Sequence, residues 1–397
     1  MSSYLKLTKT IIEQNNKGYV QFNLVEKPYI SSKTLKPNQV VVQILAAPIN
    51  PSDIGPLFSP SHGGIGKFDN AITTSDSNGR PSTSLPIPGR YPKKLVGKAI
   101  KVGNEGSGRV IATGTSPAAQ NLKGKLVAVI GGVGSYSQNV IVNVSQCMVH
   151  HNTTTPEEAA SSYVNPMTSL GMVKTMHAEN HTGIVHTAAA SQLGQMLVKI
   201  CLKDNIPLVN IVRRQEQVDL LKKLGAKYVV NTSSSTFQND LLTALVETKA
   251  TIAFDALGGG DLGFQIIKNM EKAAVKTNPA TNNYGSSTFK KLYIYGGLNA
   301  GKPLVLKPHA GMGGFSWAVA GFLMGVGAAT ITDADKIRVA NEITTTFATK
   351  YSQKLTLNHM LDPNRMIEYQ AQKSNSKSLV VPYGIAMATS SSTSSRL

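Results

Sequence analysis

Apolar and polar positions follow different patterns in the two halves of the chain. In the first half, short runs rich in Val and Ile alternate with Gly, Pro, Asn and Ser, which predicts strands joined by turns. These runs are VVVQILAAPI (40–49), KAIKVGNEGSGRVIATG (98–114), KLVAVIGG (125–132) and SQNVIVNV (137–144). Residues 59–94 lack apolar periodicity and are rich in Ser, Gly, Pro and Asn. They predict a long loop, which in a compact domain is usually functional or mobile.

From about residue 152 strands and helices alternate. Thr155-Pro156-Glu157-Glu158 predicts a helix start, with Pro in the first turn and acids beside the helix dipole. Gly225 is expected to close a later helix. The predicted strands in this half are TGIVHTA (182–188), PLVNIV (207–212), KYVVNT (227–232), TIAFDAL (251–257) and KKLYIYGGL (290–298). Their alternation with helical segments predicts a parallel, doubly wound sheet.

After residue 330 the pattern changes again. ADKIRVANEITTTFATKY (334–351) and PNRMIEYQAQ (363–372) predict helices, and SLVVPY (378–383) predicts a strand. The Ser-rich stretch 386–397 predicts a disordered tail.

Composition limits the class of protein. The chain has 397 residues, 41% hydrophobic and 16% charged, which suits about two folded domains. No apolar run reaches the roughly 18 residues of a membrane span, and the first residues are too polar for a secretory signal. Cys147 and Cys201 lie in apolar stretches and are expected in the core; two cysteines exclude a disulfide framework and a four-thiolate zinc site. We therefore expect an intracellular protein without a membrane segment.

The formal net charge of +18 favours anionic ligands such as nucleotides, acyl-CoA thioesters, acidic partners or nucleic acid. Because the positive charge is spread along the chain without a block of like charges, no dedicated nucleic-acid site is expected.

A candidate nucleotide site follows the first strand of the alternating half. The usual dinucleotide fingerprint has three glycines in this turn. Here only Gly194 remains, and Ala189, Ala190 and Ser191 take the other places. The free N–H groups of the following helix favour a phosphate. The alternative is a plain strand–helix turn.

The end of the second strand indicates which cofactor binds. An NAD-preferring site places an acid there, about 20 residues past the glycine turn, for the ribose hydroxyls. This chain instead has Arg213 and Arg214, which can hold a 2′-phosphate. A merely solvated basic helix start is disfavoured, since cations oppose the dipole at a helix N-terminus. NADPH is therefore the predicted cofactor.

These segments together resemble the medium-chain dehydrogenase/reductase superfamily, in particular its zinc-free quinone oxidoreductase and trans-2-enoyl-thioester reductase branches. The resemblance covers most of residues 35–385, on these motifs: AAPINPSD (46–53), VGNEGSGRV (102–110), VNPMTSLGMV (164–173), HTAAASQLGQMLVKI (186–200) and FDALGGG (254–260).

The resemblance implies an α/β fold, with a GroES-like β-rich catalytic domain plus a Rossmann doubly wound parallel sheet. The expected domains are 1–151 and 330–385 for the catalytic part, 152–329 for the nucleotide part and 386–397 for the tail. It also implies a cleft for NADPH and substrate, and a homodimer.

A metal is not expected. Zinc-dependent relatives carry a Cys and a His where this chain has Pro51/Ser52 and Asn104, and amides and hydroxyls are poor zinc ligands. Without zinc, reduction of an activated carbon–carbon double bond or a quinone is favoured over alcohol oxidation. The predicted substrate is a small molecule or an acyl thioester.

The resemblance also implies individual site residues. Thr168 would contact the nicotinamide or its ribose, and Asn50 would lie at the cleft; for Asn50 the alternative is simple turn chemistry. Gly296 and Asp255 join the expected cofactor contacts, although Asp255 could instead cap the turn at 258–260. Glu105 is expected to organise its glycine turn.

The proton donor is open. Enoyl-thioester reductases place a catalytic Tyr some eight residues past the Asp of the first motif, where this chain has Ser61 followed by His62. Either His62 replaces that Tyr, or a donor such as Tyr136 comes from elsewhere, or the chain is not an enoyl reductase. A loop histidine is more often plain surface.

Two further hypotheses concern the cellular location of the protein and an alternative function. The terminal Ser395-Arg396-Leu397 resembles the peroxisomal signal Ser-Lys-Leu, with cytoplasmic or mitochondrial residence as the alternatives. The competing function is a weak or inactive member of the family that binds RNA or a large assembly through its basic surface.

Overall fold

The computed structural model describes residues 3–58, 68–76, 78–277, 283–299, 301–307, 311–319, 331–371 and 377–384. The chain forms two compact units, the first from Met1–Val164 with Lys336–Leu397 and the second from Asn165–Asp335. Both boundaries lie later in the chain than the predicted 151/152 and 329/330. At the first of them, the N–H groups of Tyr163 and Val164 are bonded to Glu105 of the first unit.

The strands are β1 (Ser3–Gln14), β2 (Lys17–Pro28), β3 (Gln39–Pro48), β4 (Ile72–Ser75), β5 (Pro81–Pro86), β6 (Ala99–Lys101), β7 (Glu105–Thr113), β8 (Leu126–Ile130), β9 (Asn139–Asn143), β10 (Cys147–Val149), β11 (Ile184–His186), β12 (Leu208–Val212), β13 (Tyr228–Asn231), β14 (Ile252–Asp255), β15 (Lys290–Ile294), β16 (Phe315–Val319), β17 (Gln353–Leu355) and β18 (Ser378–Val380). The helices are α1 (Pro51–Phe58), α2 (Pro117–Gln120), α3 (Pro156–Ala159), α4 (Val164–Ala178), α5 (Gln192–Lys203), α6 (Gln215–Lys223), α7 (Phe237–Thr248), α8 (Leu262–Thr277), α9 (Asp333–Asn341) and α10 (Pro363–Gln370). None of these helices is long and apolar enough to cross a membrane.

The first unit is built on two sheets. One has the order β4-β5-β2-β1-β6, and the other has β10-β8-β7-β3-β18-β17, with β9 paired to β3. The alternating side chains of β2 bury Val20, Phe22 and Leu24 against the shared core. Strand β18 pairs with the end of β3, and this pairing brings the C-terminal part of the chain beside Asn50.

Part of the predicted 59–94 loop is regular structure. Strands β4 and β5 form an antiparallel pair, and β5 also pairs with β2. All four residues of β4 are exposed. Because β4 is an edge strand with no buried face, its residues show no apolar alternation. The loop prediction was wrong for the residues of β4 and of β5.

The second unit contains a parallel sheet, as predicted; the described residues form six strands of it, one more than the five predicted. Its order is β13-β12-β11-β14-β15-β16, so the strand order reverses at β11 and β14. Val185, Ala253, Leu292 and Ile294 face helices α7 and α8 in one apolar cluster. In a sheet of this kind, ligands bind beyond the carboxyl ends of the strands at the reversal point.

Candidate functional site

In the first unit, Asn50 lies between the end of β3 and the start of α1. It is 1% exposed, and its Nδ2 donates to Glu105 Oε1 at 2.8 Å. Its Oδ1 is a buried acceptor with no hydrogen-bond partner among the described residues. A buried carbonyl without a donor costs about 1–3 kcal/mol, which favours a bound ligand as the missing partner.

Glu105 joins three parts of the chain. Besides Asn50, its Oε2 accepts the N–H groups of Tyr163 and Val164 at 2.9 and 3.0 Å. The carboxylate is 1% exposed, and burial raises its pKa. We expected Glu105 to organise its glycine turn; in the structure its carboxylate instead bonds the Asn50 amide and the N–H groups of Tyr163 and Val164.

Asp53, at the start of α1, also accepts hydrogen bonds from two parts of the chain. Its Oδ2 accepts the Asn50 N–H at 2.9 Å, and its Oδ1 accepts the Asn104 N–H at 3.0 Å. Burial raises the pKa of Asp53 to about 7, against the opposing effect of these N–H donors, and Glu105 raises it further. The buried carboxylates of Asp53 and Glu105 thus hold together the two motifs 46–53 and 102–110.

The raised pKa of Asp53 predicts a pH dependence of stability. Between its ordinary pKa and about 7 the folded chain binds the proton more tightly than the unfolded chain does. The resulting stabilisation is therefore lost as the pH rises through about 7. We expect Asp53→Asn, which cannot ionise, to lose more stability relative to wild type at pH 5 than at pH 8. Urea unfolding at both pH values measures this difference; an equal loss at both would contradict it.

A cation and two hydroxyls lie beside these carboxylates, and sequence reasoning missed all three. The half-buried Lys377 donates from Nζ to Ser161 Oγ at 2.9 Å, and Ser161 Oγ lies 2.8 Å from the Tyr351 hydroxyl. Burial lowers the pKa of Lys377, and Glu105 and Asp53 oppose that shift. These residues belong to distant parts of the chain, so no sequence spacing could have indicated their meeting.

Of the candidate proton donors, Tyr136 lies among the described residues. Tyr136 is fully buried, and its hydroxyl donates to the Pro48 carbonyl at 3.2 Å. Burial raises the pKa of this hydroxyl well above its ordinary value, and the side chain lies in the core of the first unit. Ser61 and His62 lie outside the described residues.

The positions of zinc ligands in zinc-dependent relatives hold neutral groups that bond to each other. Asn104 donates from Nδ2 to Ser52 Oγ at 3.4 Å. No group of three His, Cys, Asp or Glu side chains that could hold a metal occurs among the residues that the structure describes.

In the second unit, the turn after β11 leads directly to the start of α5. Ser191 is the N-cap of α5 and accepts the Gly194 N–H at 3.1 Å. A Cβ on Gly194 would lie 2.1 Å from the Ala189 carbonyl oxygen, so only glycine allows the helix this close to the turn. Ala188 takes φ +50, a left-handed conformation that is uncommon outside glycine and often found at functional sites. Ala189 and Ala190 are buried beneath the turn.

The two arginines at the end of β12 differ in their surroundings. Arg214 Nε lies 2.9 Å from Glu216 Oε1, so this side chain already has a carboxylate partner. The Gln217 side-chain oxygen accepts the backbone N–H groups of both Arg213 and Arg214. Both arginine side chains are exposed. Arg213 is therefore the better placed of the two to hold a phosphate.

Asp255 caps the turn after β14. Its Oδ1 accepts the Thr187 hydroxyl at 2.7 Å and the Leu257 N–H at 3.0 Å, and its Oδ2 accepts the Gly258 N–H at 3.2 Å. The capping alternative is thus the one that the geometry favours. Gly296 packs on this turn, where a Cβ would lie 2.5 Å from the Ala256 carbonyl oxygen.

Thr168 is buried on α4, in the second unit with the nucleotide turn, whereas Asn50 lies in the first unit. The structure thus places the predicted residues in two clusters, one around Glu105 and one at the carboxyl edge of the parallel sheet.

No family model matches the chain. It is 28% identical to the mitochondrial enoyl-[acyl-carrier-protein] reductase of Caenorhabditis elegans over 198 residues, 49% of this chain and 48% of that protein. The chain spans about half the length of the curated relative it matches.

Two solved structures share the fold. One is a protein of Bacillus thuringiensis assigned as an NADPH:quinone reductase, with TM-score 0.68 and 18% identity over 96% of this chain and 99% of the other. The second is the complex of the Candida tropicalis enoyl thioester reductase Etr1p with NADP and crotonyl-CoA, with TM-score 0.62 and 18% identity over 96% and 100% of the two chains. The predicted fold is confirmed.

Proposed function

Because the chain has the fold of the medium-chain dehydrogenase/reductase superfamily, we propose that it is an NADPH-dependent oxidoreductase. It reduces an activated carbon–carbon double bond, in an enone or enoyl thioester, or a quinone, and it works without zinc. The observation that carries this proposal is Arg213 at the end of β12, beside a close-packed Gly194 turn and the capped start of α5. Relatives named as enoyl reductases and a fold neighbour complexed with NADP and crotonyl-CoA support it.

The pyrophosphate and the 2′-phosphate of NADPH each have residues suited to them. The N–H groups at the start of α5 would hold the pyrophosphate, and Arg213 would hold the 2′-phosphate. Gly194 allows the close approach. When bound, NADPH supplies a hydride. In the first unit, Asn50 is the candidate polar residue for the substrate, and Glu105 fixes the orientation of its amide.

The experiment that tests the function combines binding with turnover. NADPH and NADH are titrated against the fluorescence of Trp317 and the tyrosines, and NADPH oxidation is then followed with crotonyl-CoA and with a small quinone. We expect NADPH to bind tightly and NADH weakly, and at least one substrate to be reduced. If neither cofactor binds at millimolar concentration the proposal fails, and salt-sensitive retention on RNA would then favour the alternative of a basic binding protein.

A homodimer is part of the proposal, and strand β16 is the surface that supports it. In the described part of the chain β16 has one neighbour, β15, and forms the edge of the parallel sheet. Trp317 and Val319 on it are 49% and 73% exposed. An unprotected apolar edge favours pairing with another chain. Among the fold neighbours is an Etr1p/Etr2p heterodimer.

We expect Trp317→Arg to convert the dimer to a monomer, since a charge on this edge opposes strand pairing. Sedimentation velocity measures the change. The matched control is Ile72→Arg, because Ile72 is a similarly exposed apolar residue on β4, the edge strand of the first unit. The control should leave the mass unchanged; equal masses for both variants would contradict this interface.

The cellular location has two candidate organelles, with the cytoplasm as the third alternative. The relatives' mitochondrial names favour mitochondria, and the peroxisomal prediction depends on Ser395-Arg396-Leu397, outside the described residues. Imaging a fluorescent fusion with and without these three residues separates the two.

A further inference from the structure

Three lysines of the first unit share one face of the sheet β4-β5-β2-β1-β6. Leu7 of β1 is buried in the core, and side chains alternate along a strand, so Lys6 lies on the opposite, outer face. The register places Lys27 of β2 and Lys101 of β6 on this outer face as well. Each is a diagonal neighbour of Lys6 on an adjacent strand, which is within reach of a long side chain.

A glycine turn brings two of these lysines together. The chain after Gly134 follows the edge of β1, where the Leu7 N–H donates to the Tyr136 carbonyl at 2.9 Å. Gly134 takes φ +80, in the left-handed region that favours glycine. A Cβ at this position would lie 3.3 Å from Lys6 Nζ and 3.2 Å from Lys101 Cβ. The two lysine side chains therefore meet beside the backbone of the turn.

The surroundings of Lys6 oppose its charge. Lys6 is half-buried, and this burial lowers its pKa; the charges of Lys101 and Lys27 lower it further. In the described part of the chain, none of the three lysines forms an ion pair with an acid. Like charges on neighbouring strands are destabilising, so an anion that neutralised them would stabilise the fold. The side chains that continue this face along β1 and β2 are uncharged, and they are Thr8, Thr10, Gln21 and Asn23.

We propose that Lys6, Lys27 and Lys101 form a binding site for a multiply charged phosphate group. Lysine ammonium groups bind phosphate as point charges. A phosphate dianion balances two of the three charges, whereas a carboxylate balances one. The ligand is a phosphomonoester or a pyrophosphate, either free in solution or carried by a lipid headgroup. This site goes beyond the proposed reductase activity and does not depend on it, since the residues assigned to NADPH phosphates belong to the second unit.

The test is calorimetric titration of the full chain with inorganic pyrophosphate at low ionic strength. We expect Lys6→Gln to weaken binding about tenfold or more, because a charge-assisted hydrogen bond is lost. Lys101→Gln should also weaken it, and keeps the test open if Lys6→Gln folds poorly.

The matched control is Lys17→Gln, which removes the same charge from the same face of β2, about 30 Å along the strand from Lys27. This control should change the affinity for pyrophosphate less than about twofold. Equal losses in Lys6→Gln and Lys17→Gln would mean attraction to the net charge alone and would overturn the site. Arg213→Ala should leave pyrophosphate binding intact. If Arg213→Ala abolished binding and Lys6→Gln did not, pyrophosphate would occupy the cofactor site and the proposal would fail.

Vesicles distinguish the two sources of the phosphate group. The chain is sedimented with phosphatidylcholine vesicles that contain phosphatidic acid, with and without pyrophosphate. Binding that requires Lys6 and is displaced by pyrophosphate supports the site and identifies a lipid headgroup; pyrophosphate binding without vesicle binding supports it with a soluble ligand. RNA retention that requires Lys6, in a chain that does not bind pyrophosphate, would overturn the proposal in favour of a nucleic-acid surface.

Discussion

Replacing Arg213 with alanine should weaken NADPH binding about 30-fold or more and leave NADH binding unchanged. The guanidinium is expected to make charge-assisted hydrogen bonds to the 2′-phosphate, and such bonds contribute about 1.5–3 kcal/mol each, where 1.4 kcal/mol corresponds to a tenfold change. NADH has no 2′-phosphate and loses nothing. Isothermal titration calorimetry with both cofactors measures the two affinities.

The neighbouring arginine is the matched control. Because Arg214 already pairs with Glu216, its side chain must leave that carboxylate to reach a phosphate. Arg214→Ala should therefore cost less NADPH affinity than Arg213→Ala, and Glu216→Gln should not weaken NADPH at all. A larger effect from Arg214 would show that the ion pair opens in the complex, and equal losses for NADPH and NADH in Arg213→Ala would refute the phosphate contact.

The parallel unit could be predicted because its signals are local. Alternating apolar runs and helical spacings located β11 to β15 and the helices α5 to α7, and Thr155 with Glu158 forms a capping box at the predicted helix start. Gly225 takes φ +95 after α6, as a helix-closing glycine does. Helix α8 and strand β16 were not predicted, and neither were β1 and β2, whose alternation the polar N-terminal composition obscures.

The site could be predicted in parts and not as a whole. Motifs pointed to Asn50, Glu105 and Gly194 separately; Asn50 and Glu105 are hydrogen-bonded to each other, and Gly194 is close-packed on its turn. No motif contained the set of contacts around Glu105, because Glu105 meets Tyr163 across 58 positions of the chain and Lys377 meets Ser161 across 216. The burial of Tyr136, whose hydroxyl donates to the Pro48 carbonyl, could likewise not be read from its neighbours in sequence.

Replacing Glu105 with glutamine should lower the free energy of unfolding by about 2–4 kcal/mol. One carboxylate now satisfies the Asn50 amide and two backbone N–H groups in a buried site. Glutamine has nearly the same size, but its NH₂ must face either Asn50 Nδ2 or the N–H pair, so donors oppose donors. The nearby Lys377 ammonium also loses one of its two carboxylate neighbours. Leaving one side of a buried charged network uncompensated typically costs several kcal/mol.

Urea unfolding followed by circular dichroism measures this loss. Glu158→Gln is the control, because Glu158 also accepts a backbone N–H and a side-chain hydroxyl but at the surface of α3, in a capping box where glutamine serves equally well. The control should stay within about 0.5 kcal/mol of wild type. If the two variants lost equal stability, burial would not be the source of the effect, and Glu105 would be no more than a turn residue. A large loss for the Glu105 variant alone would instead mean that burial of this carboxylate is the source of the stability. The orientation of the Asn50 amide, which Glu105 bonds, would then depend on a residue whose role is structural.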